Sequence, residues 1–558
     1  MYRSAAPAAS LLTLSLTLFL PFTSACGSAP SGPDAGPRDY PLQEVPASTT
    51  PEAGVRRDLL TVPGTLPPPN PTTGAATPAE RDATQIARYR RDVSPPAPAR
   101  AILVAYPGLM GGAASWDALA RHLVTGAAAR GETIEVWAID RRSNLLEDLR
   151  GLDTAEAAGD PEIANGYYFG TDTVGGVAFP GFHSHDELAY MSEWGLATHV
   201  LDLHAVIAKV AAADRKPRVF LLGHSLGGFF AEAYAGWRFD DGSRGVDELA
   251  GLVLIDGVLG EAPITETEYH TGISNGLLSQ PGVDTIRASG PRYFEIPLFG
   301  VAVFAHVEIM ALRALVAPDA VMSDPGRDQL LRIQLSMGTL HVPPLTNAAA
   351  LGWAIDDDAD PIVITAPSVG EPTGGPVERY DSSIAMRSLE HPSSDTATYA
   401  WVDATATDAH NFTHLADFAH GFSDGRTNFT EWYFPTRLIV DLAAVGGARV
   451  ATDGWQAAAG LRVFDGATID APILCIPSQL ETVDDCAKVR ARVAPIGDGR
   501  VHQGATRDTE AGFRTVPATG FTHIDPLSAM VRPDNPVPGA ILDFVLGNAA
   551  AGTTAPSL

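Results

Sequence analysis

Ser225 stands at the centre of Gly223-His224-Ser225-Leu226-Gly227, straight after the apolar run Val219 to Leu222 and straight before a helix-forming stretch. A serine hydroxyl is a weak nucleophile until a turn exposes it and a base takes its proton. Glycine two residues to either side lets a strand turn into a helix very sharply. The serine between them is pushed into an unfavourable backbone conformation with its hydroxyl above the sheet. The N–H of Leu226 then opens the helix and points at any anion forming beside Ser225, with the helix dipole behind it. The same spacing recurs at Gly272 to Gly276 and at Gly421 to Gly425. Neither copy follows a buried strand, so Ser274 and Ser423 read as loop serines.

A nucleophile of this kind needs a sheet beneath it. Short buried strands are expected at Ala101 to Tyr106, Ile134 to Ile139, Val219 to Leu222, Leu252 to Ile255 and Ile473 to Ile476, with a weaker one near Phe513 to Pro517. Helices fit between and after them at Trp116 to Ala129, Leu196 to Ala213, Gly228 to Trp237 and Ala540 to Leu546. Buried strands alternating with helices mark an α/β chain whose mostly parallel sheet is covered on both faces. Between the fourth and fifth strands lie residues 260–469, far too many for a loop, and these read as a mainly helical cap. The core is then split into 80–259 and 470–548.

With its strands, turn and helices in this order, the chain resembles the α/β-hydrolase fold, chiefly over Ala101–Leu259 and Ala471–Leu546. The resemblance implies a serine hydrolase, esterase- or lipase-like, that forms an acyl-enzyme on Ser225 and needs no cofactor. Tyr106-Pro107-Gly108-Leu109-Met110 resembles the oxyanion turn of the family, with Pro107 where histidine is usual. It implies Leu109 as the second oxyanion donor beside Leu226, with Met110 as the fallback. These hydrolases run serine, acid, histidine along the chain. His523, in Thr519-Gly520-Phe521-Thr522-His523, matches the family's histidine loop and is the expected base. Glu481, after Ala471 to Ile476, falls on the family's acid position. Asp484 and Asp256 are the alternatives, and Asp525 reads as a brace for its own turn. Asp140 and Arg141 follow the second strand and read as a structural ion pair.

Other clusters carry less. His183 with His185, and His410 with His414, have spacings that a metal could use. Neither pair is joined by further ligands, so no metal is expected. The aromatic run Phe429 to Pro435, with Tyr293, Phe294 and Phe299, reads as cap core that could also wall an apolar site over Ser225.

The N-terminus carries an export signature over residues 1–25: Arg3, an apolar stretch from Leu11 to Leu20, and the small residues before Cys26. Cys26 resembles the acylated cysteine of a bacterial lipoprotein, which would tie the protein to a membrane through lipid alone; plain cleavage after Ala25, releasing a secreted protein, is the alternative. Residues 26–79, rich in Pro, Gly and Thr, read as a disordered tether, and 549–558 as a disordered tail. Cys475 and Cys486 could form a disulfide in an oxidising compartment. The net charge of −28 argues against nucleic acid or an anionic membrane surface as partner. The expected partner is a small-molecule or lipid-like ester, with lactone, amide and acyl-transfer chemistry open to the same residues. A binding protein that has kept the fold and lost the chemistry is the reading from another class.

Overall fold

The structure is a computed structural model that describes residues 54–554, apart from 261, 276–277, 296–299, 323–341, 361, 363, 383–386, 424–426, 447–449, 499 and 501–504. The export segment, Cys26 and residues 26–53 of the expected tether lie outside the described residues, as does Phe299.

Eight strands form the central sheet: β1 (Val55–Pro63), β2 (Ala83–Arg91), β3 (Ala101–Tyr106), β4 (Ile134–Asp140), β5 (Val219–His224), β6 (Gly251–Ile255), β7 (Ile473–Ile476) and β8 (Phe513–Thr515). Their order across the sheet is β1-β2-β4-β3-β5-β6-β7-β8. Only β2 runs against its neighbours; from β4 to β8 every pairing is parallel. This is the strand order and sense of the α/β-hydrolase fold. Parallel strands put their carboxyl ends on one edge, so the turns after β3, β5, β6, β7 and β8 converge there.

The alternation within β3 shows how the sheet is buried. Ile102, Val104 and Tyr106 pack on one side with α2 (Leu196–Ile207) and α3 (Leu226–Ala235). Ala101, Leu103 and Ala105 pack on the other with Leu119, Leu123, Ile541 and Phe544. Those four belong to α1 (Asp117–Ala129) and α6 (Val537–Asn548). Successive side chains on a strand point to opposite faces, so a two-sided core demands this unbroken apolar run.

Two stretches expected to be unstructured are built into the fold. Residues 55–63 form β1, paired along its length with β2. Both strands are rich in charge, and their charges are paired within the sheet: Asp58 with Arg90, and Arg88 with Glu135. In the tail, Thr554 pairs with Ala99, while Arg218 holds the carbonyls of Ala550, Ala551 and Gly552.

The insertion between β6 and β7 is mixed rather than mainly helical. Besides helices such as α4 (Ala302–Val316) it holds three two-stranded ribbons among its described residues, the longest pairing Val377–Ser382 with Arg387–Pro392. Ser274 lies in one of these ribbons, not in a loop. A second excursion, after β4, brings Tyr167 and Tyr168 against the same cap. Cap residues such as Phe304 and Trp353 share one continuous apolar cluster with β3 and α3. The cap is therefore packed as part of the core and not as a separate globule. Among the described residues no single helix is long and apolar enough to cross a membrane.

Candidate active site

Ser225 has φ 57° and ψ −129°, a region that non-glycine residues seldom occupy. The surrounding turn over-determines it. A Cβ on Gly223 would lie 2.1 Å from the Gly227 carbonyl oxygen, and one on Gly227 would lie 2.2 Å from that of Tyr106. No side chain fits at either position, which is the physical reason for the glycine spacing. The Ser225 N–H donates to the Ile255 carbonyl at 2.9 Å, fastening the turn to the end of β6.

His523 is held from three sides. Its backbone N–H donates to Gln479 Oε1 at 2.9 Å. Its carbonyl lies 2.8 Å from His224 Nε2. Its ring Nδ1 lies 2.6 Å from Asp256 Oδ2. The carboxylate accepts a hydrogen bond from Nδ1–H, which keeps the proton on that nitrogen and leaves Nε2 as the basic one. Burial holds His224 down to about 3, and the neighbouring His523 adds to the effect. His224 is therefore neutral and donates through Nε2–H to the carbonyl.

The acid partner corrects the sequence expectation. Asp256, which was an alternative, makes the contact, and Glu481 does not. Asp256 follows β6 at φ 44°, and its carboxylate accepts backbone N–H groups from Ser478, Gln479, Leu480 and Glu481 at 2.8–3.2 Å. Burial pushes its pKa up, but the His523 hydrogen bond and these amides outweigh it and hold the group at about 2. Glu481 instead receives a long 3.4 Å bond from the Val258 N–H. Burial, then the charges of Asp485 and Asp256, push it up to about 8. Asp484 is exposed on the first turn of α5 (Val483–Arg492), and Asp485 closes a capping box with Thr482. The residues that flank Glu481 thus cap a helix, while its backbone helps to hold Asp256. A sequence signal for Asp256 exists: an apolar strand ending in Asp-Gly, with a glycine whose Cβ would lie 1.9 Å from the Ser225 carbonyl oxygen.

Cys475 and Cys486 form a disulfide that brackets the 478–481 segment. Asp525 braces its turn and also reaches the cap, accepting from Ser368 and Thr413 as well as from the Thr522 N–H.

A cavity of about 140 Å³ opens onto Ser225 and His523. Gly108, Leu109 and Met110 line it on the core side, and Phe304, Phe418, Phe422 and Phe429 line it from the cap. The backbone N–H groups of Leu226, Leu109 and Met110 have no acceptor among the described hydrogen bonds. Of the aromatic run, only Phe429 reaches the cavity; Trp432, Tyr433 and Phe434 are buried in cap core. Ser423 does not line it.

Arg141 does not pair with Asp140. Its partner is Glu431 of the cap, and both side chains are fully buried. Asp140 instead accepts from the Ala113 N–H, and burial pushes it up to about 7. His185 is bonded to Glu295 and His414 to Asp403, each across the surface of the fold.

No family model matches this chain, and no curated protein matches it in sequence. Solved structures align over most of its length at low identity. A candidate lipase from Sulfolobus solfataricus aligns at 11% identity and TM-score 0.42, covering 90% of this chain and 96% of that one. The peroxisomal α/β-hydrolase Lpx1 of Saccharomyces cerevisiae gives 10% and 0.36, covering 90% and 92%. A thermophilic esterase from Thermogutta terrifontis gives 11% and 0.32, covering 89% and 100%. The fold class stands on the chain's own strand order, which these alignments neither replace nor extend.

Proposed function

We propose that this protein is a serine hydrolase that cleaves carboxylic esters through an acyl-enzyme on Ser225. The observation that carries the reading is the 2.6 Å contact between His523 Nδ1 and Asp256, on the wall of the cavity that holds a strained, glycine-flanked Ser225. In this mechanism Ser225 Oγ attacks the ester carbonyl while His523 Nε2 takes its proton. Asp256 keeps the imidazole in the right tautomer and stabilises its cation. The N–H groups of Leu226 and Leu109 receive the oxyanion, His523 returns the proton to the leaving alcohol, and water repeats the sequence to release the acid.

The cavity favours an apolar acyl or aryl group of modest bulk. An apolar cavity of about 150 Å³ accepts a benzene ring, and the four phenylalanines supply walls of that character. Export is part of the same proposal. It is supported by the N-terminal signature and by the disulfide at Cys475–Cys486, a bond that persists in oxidising compartments.

The test is turnover of nitrophenyl esters of increasing acyl length by the purified protein and by Ser225→Ala. The expected result is turnover by the parent, best for short or ring-sized acyl groups, and loss of several orders of magnitude in the variant. A folded parent that neither turns over any ester nor reacts with a fluorophosphonate would favour the binding-protein reading.

A further inference from the structure

The oxyanion turn is held from behind by one side chain. Arg141 donates to the carbonyl oxygens of Pro107, of Gly108 at 2.8 Å and of Gly111 at 3.2 Å. A trans peptide is planar, with its C=O and N–H pointing in opposite directions. Drawing the Gly108 carbonyl toward Arg141 therefore aims the Leu109 N–H away from it. Gly108 and Leu109 line the cavity, and a Cβ on Gly108 would lie 2.9 Å from that of Ser225. The same logic separates Leu109 from Met110 as donor, because Arg141 fixes the peptide that carries the Leu109 amide.

Arg141 is itself fixed by the cap. Its guanidinium pairs with Glu431 and lies 4.9 Å from the ring centres of Tyr106 and Phe434. The other Glu431 oxygen accepts from Ser143. The cap segment carrying Glu431 also forms a β-bridge with the turn, Gly111 opposite Thr430. In that bridge the Gly112 N–H donates to the Phe429 carbonyl and the Glu431 N–H to the Met110 carbonyl, each at 2.8 Å. Met110, at φ 55°, is thereby held in a left-handed conformation.

We propose that Arg141 and Glu431 are positioning residues for the oxyanion hole, so that the cap, and not the core alone, sets the Leu109 donor. The proposal rests on the hydrolytic reading of Ser225. It also makes the 429–431 segment a fixed part of the site and not a lid that lifts from it.

The experiment compares the full-length parent, Ser225→Ala, Arg141→Lys, Glu431→Gln and the double replacement Arg141→Met with Glu431→Leu. Losing one oxyanion donor lowers kcat by about 10²–10³-fold. The expected result is a kcat loss of that order in the Arg141 and Glu431 variants, with KM nearly unchanged. Affinity for an alkyl boronic acid, which mimics the tetrahedral species, should fall by a comparable factor. The double replacement removes both charges at similar volume, which keeps a buried site tolerable where a single lost partner would not. Folded variants with parental kcat, or with KM raised and kcat kept, overturn the proposal. Unfolding of all three would make the pair a fixture of stability alone and overturn it as well. If Ser225→Ala matches the parent, the hydrolytic reading fails instead.

Discussion

A carboxyl group deep in a protein loses its charge unless hydrogen bonds and a cation hold it ionised. Asp256 accepts four backbone N–H groups and faces His523 Nδ1, whereas Glu481, one strand away, accepts one long bond from the Val258 N–H. At neutral pH Asp256 is the anion that can orient His523, and Glu481 carries a proton. Asp256→Asn should therefore lower kcat by about 10⁴-fold, the cost of holding the base in the wrong tautomer. Glu481→Gln should stay within about threefold, since it replaces a neutral group by a neutral isostere. Steady-state kinetics on one nitrophenyl ester decides the matter, and the opposite ranking would return the role to Glu481. The turns that carry Ser225 and His523 were legible in the sequence because the neighbouring residues of each enforce its geometry. The acid was not, because β6 and β7 are separated by more than two hundred residues and lie side by side only in the sheet. Which strand's carboxylate faces the imidazole depends on that pairing. Arg141 was misread for the same reason: its partner is Glu431, 290 residues away.

Elements were legible wherever burial dictated the pattern. All six expected strands are present, because two-sided burial leaves an apolar run with few other meanings. β1 escaped because its charge, next to Pro and Gly, reads as tether when the pairing strand is unknown, and β2, inside the expected core, escaped because its charged residues break the apolar run. The cap ribbons escaped because two-stranded pairs depend on their packing more than on their own propensity. One element deserves a test of its own. The disulfide ties the end of β7 to α5, and the four amides that hold Asp256 lie between its cysteines. By the chain-entropy relation a cross-link closing so short a loop stabilises by about 3 kcal/mol. Replacing both Cys475 and Cys486 by serine should lower the thermal midpoint accordingly. It should also lower kcat, because the amides around Asp256 lose a restraint. Protein recovered from an exported culture should carry no free thiol at these positions. Unchanged stability and kcat in the double variant would mean that the disulfide neither stabilises the fold nor holds the amides around Asp256.

For the molecule as a whole, the distribution of buried acids sets how stability depends on pH. Burial raises Asp140 to about 7, Glu308 to about 8 and Glu481 to about 8, so each is protonated in the folded chain at a pH where the unfolded chain has ionised it. Stability falls with rising pH wherever the folded state binds more protons, by at most about 1.4 kcal/mol per pH unit for each such group. These three act between the unfolded carboxyl pKa and their own folded values. His199 and His224 oppose them at lower pH. Both are driven down to about 3, chiefly by burial, so they bind a proton in the unfolded chain up to about 6.5 and in the folded chain only near 3. Between about pH 4.5 and 6.5 the two histidines offset two of the three acids, and above about 6.5 all three acids act unopposed by them. The net charge of −28 adds self-repulsion in the same direction. The thermal midpoint should therefore drop between pH 6.5 and 8.5. Glu308→Gln combined with Glu481→Gln should flatten that drop, since Gln keeps the acceptor that Glu308 offers to Thr430 and Trp432 without a proton to lose. Scanning calorimetry of parent and double variant at the two pH values measures both slopes. Equal slopes in the two proteins would mean that these acids do not carry the dependence.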